Sequence, residues 1–422
     1  MFHYVRSRLA STSARELLRD TVLYIAAKAV PGLIGLISVV VFVRLLGVEQ
    51  FGLFSLLGST AMMWSTFSSS WMNQGILRHC TAPEAFDHQL WRQLLRGAGF
   101  AVALGSLGAI LNLCLLDPKP DWISFILTWL LVVVTVLQTL AVTLWQAKLQ
   151  PPKVLLLELV RTVAGFAICL VLVVTISATP AALLLGTSLG YALGIRWPAP
   201  AGAGTAAATT VRLGTLWHYG WPLSIWLGIQ TAFPWLERLA ISQTLGLEAT
   251  GTFASLSDIV TRSFSLLMFP LTLAVHPRIT ARWNEGHPDA AQHLLRFATW
   301  VCLLACTLLV GAYYLGRFHL VEWLLPPAQW DTGMAAVPWL ALAGAIWQIA
   351  LLAHKPLELR SQTRIMLVCV LFSLGVKLAL NWFAIPVWGL RGAAGATFAA
   401  GLTYCFACAL YYRYLSARSI HA

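Results

Sequence analysis

Charged residues are scarce. Asp, Glu, Lys and Arg make up 10% of the 422 residues, hydrophobic residues 59%, and mean hydropathy is +0.75. Soluble chains carry about 25% charged residues, and without them a water-facing surface cannot be covered. A soluble enzyme and a disordered protein are therefore excluded. A cysteine framework is also lacking. Cys114, Cys169, Cys302, Cys306, Cys369, Cys405 and Cys408 sit in apolar runs and Cys80 stands alone in a short loop, so they read as unpaired small hydrophobes rather than a disulfide scaffold. No cleavable leader is expected, because the apolar run after Arg6, Arg8, Arg15 and Arg19 is too long and has no small-residue cleavage site. Catalytic patterns are missing as well: no HExxH, no GxSxG, no GxxxxGK[ST] and no clustered His/Cys spacing. No catalytic residue, cofactor or metal is expected. The histidines are scattered, with His218 and His354 nearest to apolar runs.

What is present is a series of long apolar runs. Twelve spans are expected, at about 21–45, 53–77, 97–116, 122–145, 154–177, 181–195, 216–244, 252–276, 295–316, 333–353, 365–387 and 392–412. They are continuous and most approach the roughly 20 residues of a membrane-crossing helix, about twice the length of alternating barrel strands. Lys and Arg distribute unevenly between them. Alternate connecting segments, beginning with the N-terminus, hold nineteen of these bases, whereas the others hold Lys119, Arg317 and Arg391 only. Cytoplasmic segments carry such an excess. The split therefore predicts an even number of helices with both termini cytoplasmic. It also reads the net charge of +12 as a topology signal rather than a nucleic-acid surface.

A nine-residue pattern occurs twice. Leu46-Gly47-Val48-Glu49-Gln50-Phe51-Gly52-Leu53-Phe54 follows the first span, and Leu245-Gly246-Leu247-Glu248-Ala249-Thr250-Gly251-Thr252-Phe253 follows the seventh; five of nine positions are identical. The glycines suit tight turns between antiparallel helices, where only glycine takes positive φ without strain. The expected fold is thus an all-α polytopic membrane protein of twelve transmembrane helices in two pseudo-symmetric six-helix bundles, residues 1–195 and 216–422. A low-complexity linker at 196–215, rich in Pro, Ala and Gly, joins them. Six helices per half make the repeat parallel, and transporters with duplicated halves place the substrate between them.

At these residues the chain resembles a known family. Arg44-Leu-Leu-Gly47-x-Glu49-x-Phe51-Gly52-Leu-Phe-Ser55 looks like the first signature of polysaccharide transporters, the O-antigen and exopolysaccharide flippases of the MOP superfamily. Tyr219-Gly220-Trp221-Pro222, Arg238 with Leu245-Gly246 and Gly251-Thr-Phe253, and Asn381 with Pro386, Gly389 and Gly392-Ala-Ala-Gly-Ala-Thr397 agree with it in order and spacing. The resemblance implies a V-shaped, MATE-like pair of bundles around a central cavity. It implies flipping of a lipid-linked oligosaccharide, usually on undecaprenyl pyrophosphate, across the bacterial inner membrane by alternating access. Membrane lipids and the polysaccharide polymerase or ligase machinery are the implied partners. Lipid II flippases of the same superfamily usually have fourteen helices, two more than expected here.

Nine ionisable residues fall inside the spans: Lys28, Arg44, Arg161, Arg238, Arg262, Lys377, Glu158, Glu237 and Asp258. Each such group costs roughly 2.5–3.5 kcal/mol at membrane depth and needs a partner, a cavity or an interface. Helical spacing offers Glu158 to Arg161 and Asp258 to Arg262, while Arg44 can snorkel. Lys28 and Lys377 have no acid within one turn, and Lys377 has Asn381 one turn on. An excess of cations suits an anion such as a pyrophosphate. The expected substrate site is a cationic cavity using Lys28, Arg161, Arg262, Lys377, Arg238 and Asn381, with Glu237 and Asp258 as candidate coupling-ion sites.

Ser65, Thr66, Ser68, Ser69, Ser70, Asn73 and Gln74 in the second span suit either sugar contacts or close helix packing. Trp71, Trp226 or Trp347 could stack on sugars, and Pro31, Pro222, Pro234 and Pro270 could be hinges or static kinks. The alternatives to a flippase are an ion-coupled drug or metabolite antiporter, for which an acidic excess would be more natural, and a polymerase or ligase. The longest outer loop, about 317–332, holds a single arginine, Arg317, which disfavours the enzyme.

Overall fold

The computed structural model describes residues 14–80, 88–117, 119–198, 212–360 and 362–418. Among these, twelve long helices and no strand appear, each at an expected span. They are α1 (Ala14–Leu46), α2 (Val48–His79), α3 (His88–Leu115), α4 (Trp122–Ala147), α5 (Pro151–Thr175) and α6 (Pro180–Leu193). A continuous stretch, Leu213–Asn284, breaks at Gly246 into α7 (213–245) and α8 (247–284). Then follow α9 (Pro288–Leu324), α10 (Trp330–Ala353), α11 (Thr363–Trp388) and α12 (Leu390–Arg418), with a one-turn helix, Lys355–Leu359, before α11. Arg6, Arg8 and most of the expected linker lie outside the described residues.

Local chemistry sets several of these boundaries. Gly47 (φ 79°) and Gly246 (φ 89°) turn the chain between α1 and α2 and between α7 and α8, so both copies of the repeated pattern make the turn that their glycines predict. The Asp121 carboxylate caps α4 by accepting from the Ser124 amide at 3.1 Å. Thr179 caps α6 in the same way, with Pro180 in the first turn.

Among the described residues, eight helices are long and apolar enough to cross a membrane by length and composition alone. The other four, α2, α6, α7 and α8, rely on packing against protein. α6 has 14 residues, and its Gly186 and Gly190 lie against Cys169 and Gly165 of α5, so close that a Cβ on either would strike backbone. α2 is polar for a span, but it runs antiparallel against α7: Gly75 meets Leu216, Gly220 meets the Trp71 carbonyl, and Gly228 meets Phe67. α1 packs on α8 in the equivalent way, with Gly32 against Leu266 and Gly35 against Arg262. Ser59, Thr60, Ser65 and Ser69 of α2 donate to carbonyls three or four residues back, so these hydroxyls are satisfied within their own helix.

The two copies of the repeat meet. Gly52 of α2 packs on Gly251 and the Leu247 carbonyl, and Gly251 packs on the Val48 carbonyl. Backbone therefore touches backbone at the end of the bundle that carries both glycine turns. Nearby, Gln329 donates to Glu248 at 2.7 Å. Arg44 donates to the Trp323 carbonyl through Nε at 3.1 Å, with its guanidinium over the Trp323 ring.

Candidate functional site

α8 forms the wall between two cavities. Asp258 and Arg262, one turn apart, line a cavity of about 340 Å³ walled also by α1, α2, α5 and α6. Ser257 and Thr261, also one turn apart and about 100° around the helix, line a second cavity of about 250 Å³ walled by α7, α10, α11 and α12. A third hollow, about 1160 Å³, lies at the opposite end from the glycine turns, among Gln74, His79, His218, Trp226, His354 and Glu358.

The first cavity is cationic. Arg161 lines it and is held by Glu158 at 2.6 Å and by the Tyr191 ring at 4.8 Å. The spacing-based Glu158–Arg161 pair is thus present. Lys28, half-exposed, reaches the same Glu158 at 3.5 Å, so one carboxylate faces two bases. Asp258 differs from expectation: it pairs with Arg238 of α7 at 2.6 Å rather than with Arg262 one turn below. The rotation of α7 that buries Glu237 on its other side brings Arg238 to Asp258 and to the Ser55 carbonyl. Arg262, released from Asp258, extends over Gly35 of α1, where a side chain would occupy its place. Among the described residues Arg262 makes no ion pair or hydrogen bond. Among the described residues, the four bases Lys28, Arg161, Arg238 and Arg262 in and beside this cavity have two acids, Glu158 and Asp258, as ion-pair partners.

The second cavity is neutral. Lys377 is fully buried and pairs with Glu237 across α7 and α11 at 2.9 Å. It donates to Thr397 at 3.0 Å and lies 4.7 Å from the Phe233 ring, and Thr397 also donates to Glu237. The absence of an acid near Lys377 in sequence is made good by a neighbouring helix. Asn381, buried one turn on, has no partner for either amide atom among the described residues. The eight expected site residues thus divide. Lys28, Arg161, Arg238 and Arg262 cluster around the charged cavity with Asp258. Lys377 and Glu237 lock together in the other, and Asn381 lines neither. Tyr191 and Gly35 complete these contacts and were not singled out from sequence; Thr397, which does so too, entered there only as the end of a family motif. Gly186-xxx-Gly190, which sets Tyr191 against α5, was the available signal.

The sequence model of the polysaccharide biosynthesis protein family matches residues 17–283. The chain belongs to that family. None of the curated proteins matches it in sequence. Among solved structures, the fold of this family member is similar to lipid II flippase MurJ in an inward closed conformation. The TM-score is 0.67 at 12% identity, over 93% of this chain and 87% of that one. It is similar to a MATE transporter in complex with MaL6, with TM-score 0.62 at 12% identity, over 98% and 100%. It is also similar to a MOP superfamily transporter from Pyrococcus furiosus, described as having a binding pocket of reverse polarity, with TM-score 0.60 at 12% identity, over 95% and 97%. The family member is therefore a multi-pass membrane protein with the MOP transporter fold.

Proposed function

We propose that this protein flips a lipid-linked oligosaccharide, carried on undecaprenyl pyrophosphate, from the cytoplasmic to the outer leaflet of the bacterial inner membrane for surface polysaccharide synthesis, O-antigen or exopolysaccharide. The two six-helix halves, 1–195 and 216–422 joined by the linker 196–215, alternate access to the charged cavity between them, with both termini cytoplasmic. Polymerase or ligase machinery takes the product on the far side. The observation that carries this reading is the charged cavity lined by Arg161, Arg262 and Asp258, where Arg262 has no partner among the described residues, while Lys28 and Arg238 bind the acids Glu158 and Asp258 at its margin. The cluster as a whole, with half-exposed Lys28, holds two more bases than acids, which suits the two negative charges of a pyrophosphate diester, and guanidinium groups bind phosphate oxygens in a fork. Every acid within the spans is engaged by a base, which leaves no free carboxylate for a cationic drug.

Arg262→Gln is expected to stop export, with lipid-linked intermediates accumulating on the cytoplasmic leaflet. Normal surface polysaccharide in that variant would overturn the reading, and unpolymerised units outside the membrane would point to a polymerase. Gly35→Val gives an independent check without touching a charge. Its side chain would displace the far end of a flexible arginine, so thermal stability should change little while undecaprenyl pyrophosphate binding weakens.

A further inference from the structure

We propose that the neutral cavity between α7, α8, α10, α11 and α12 is a saccharide site, taking an uncharged, hydroxyl-rich sugar unit of the cargo while the charged cavity holds its phosphates. This rests on the flippase reading and divides the cargo between the two faces of α8. Gln230, Gln348, Ser257 and Thr261 line the neutral cavity, and none of these four side chains makes a hydrogen bond within the described chain. Gln230, Ser257 and Gln348 are partly buried and Thr261 is exposed, so water fills their hydrogen bonds until a ligand with matching hydroxyls displaces it. Two amides and two hydroxyls, each able to donate and accept, face the same space. The charges there are cancelled, because Lys377 and Glu237 bind each other, so an ionic ligand gains nothing in this pocket. Trp347 supplies an aromatic wall, fixed by an edge contact with Phe233 at 5.0 Å and a near-parallel contact with Tyr404 at 6.1 Å. Convergent polar groups beside a rigid aromatic ring suit a ligand with hydroxyls at its edge and C–H groups on its face.

The partition follows from helix geometry. Residues 257 and 261 share one stripe of α8, and 258 and 262 share the next. The helix therefore presents hydroxyls to one cavity and charges to the other.

The test uses the full-length protein in lipid nanodiscs and two probes. One is undecaprenyl pyrophosphate. The other is the saccharide-bearing lipid that accumulates in cells deleted for this protein. The wild type should bind the saccharide-bearing lipid more tightly than the bare one. Gln230→Leu/Gln348→Leu should weaken that binding about tenfold, abolishing the difference and leaving the bare-lipid affinity unchanged. Arg262→Gln should weaken both by a similar factor. Ser257→Ala/Thr261→Val, which removes two small hydroxyls, should give a smaller loss in the same direction and covers the case in which the glutamine variant does not fold. Equal binding of both lipids by the wild type, or an undiminished difference in folded variants, would overturn the saccharide site alone. Binding of neither lipid would overturn the flippase reading with it.

Discussion

Lys377→Met is expected to destabilise the protein by about 3–5 kcal/mol, because it leaves a buried carboxylate without its counter-charge. Lys377 is fully buried and Glu237 nearly so, at 5% exposure. The Thr397 hydroxyl alone would then face Glu237. Glu237→Gln should be destabilising for the mirror reason, with an ammonium left unneutralised. The double variant Glu237→Gln/Lys377→Met removes both charges and should recover most of the loss, a non-additivity that reports direct contact. Thermal unfolding in detergent, followed by the loss of monodisperse protein, measures all three. A Lys377→Met protein that melts with the wild type would show that the pair does not hold α7 to α11.

Gly251→Leu is expected to abolish transport while leaving a folded protein. Gly251 lies against the Val48 carbonyl, and Gly52 against the Leu247 carbonyl; these are backbone atoms, which cannot swing away as a side chain tip can. A side chain at either glycine forces α2 and α8 apart at this end. Overpacking of this kind costs about 1–3 kcal/mol, enough to shift a two-state equilibrium roughly tenfold to hundredfold towards the state in which these helices are separated. A cysteine replacing the buried Val48 reads the shift. A membrane-impermeant maleimide should label Val48→Cys from the membrane face that carries the glycine turns in the Gly251→Leu background and only slowly without it. Equal labelling rates in the two backgrounds would show that the repeat contact is not a gate.

Helix number and place were legible in the sequence because hydrophobicity along a chain reports burial in lipid or protein directly. The Gly47 and Gly246 turns were legible too, since positive φ leaves a residue signature. The Glu158–Arg161 pair was legible because both partners lie on one helix at a fixed spacing. The remaining partners were not. Lys28 reaches Glu158 from another helix, Arg238 takes Asp258 from Arg262, and Glu237 neutralises Lys377 across α7 and α11. By itself, the sequence determined that this is a twelve-helix membrane protein with a duplicated pattern and more bases than acids at membrane depth. Only the tertiary structure decided which bases are cancelled and that the surplus gathers on one side of α8. Ion pairing at a few ångströms depends on how neighbouring helices are rotated about their axes, and hydropathy along a single chain carries no record of that rotation.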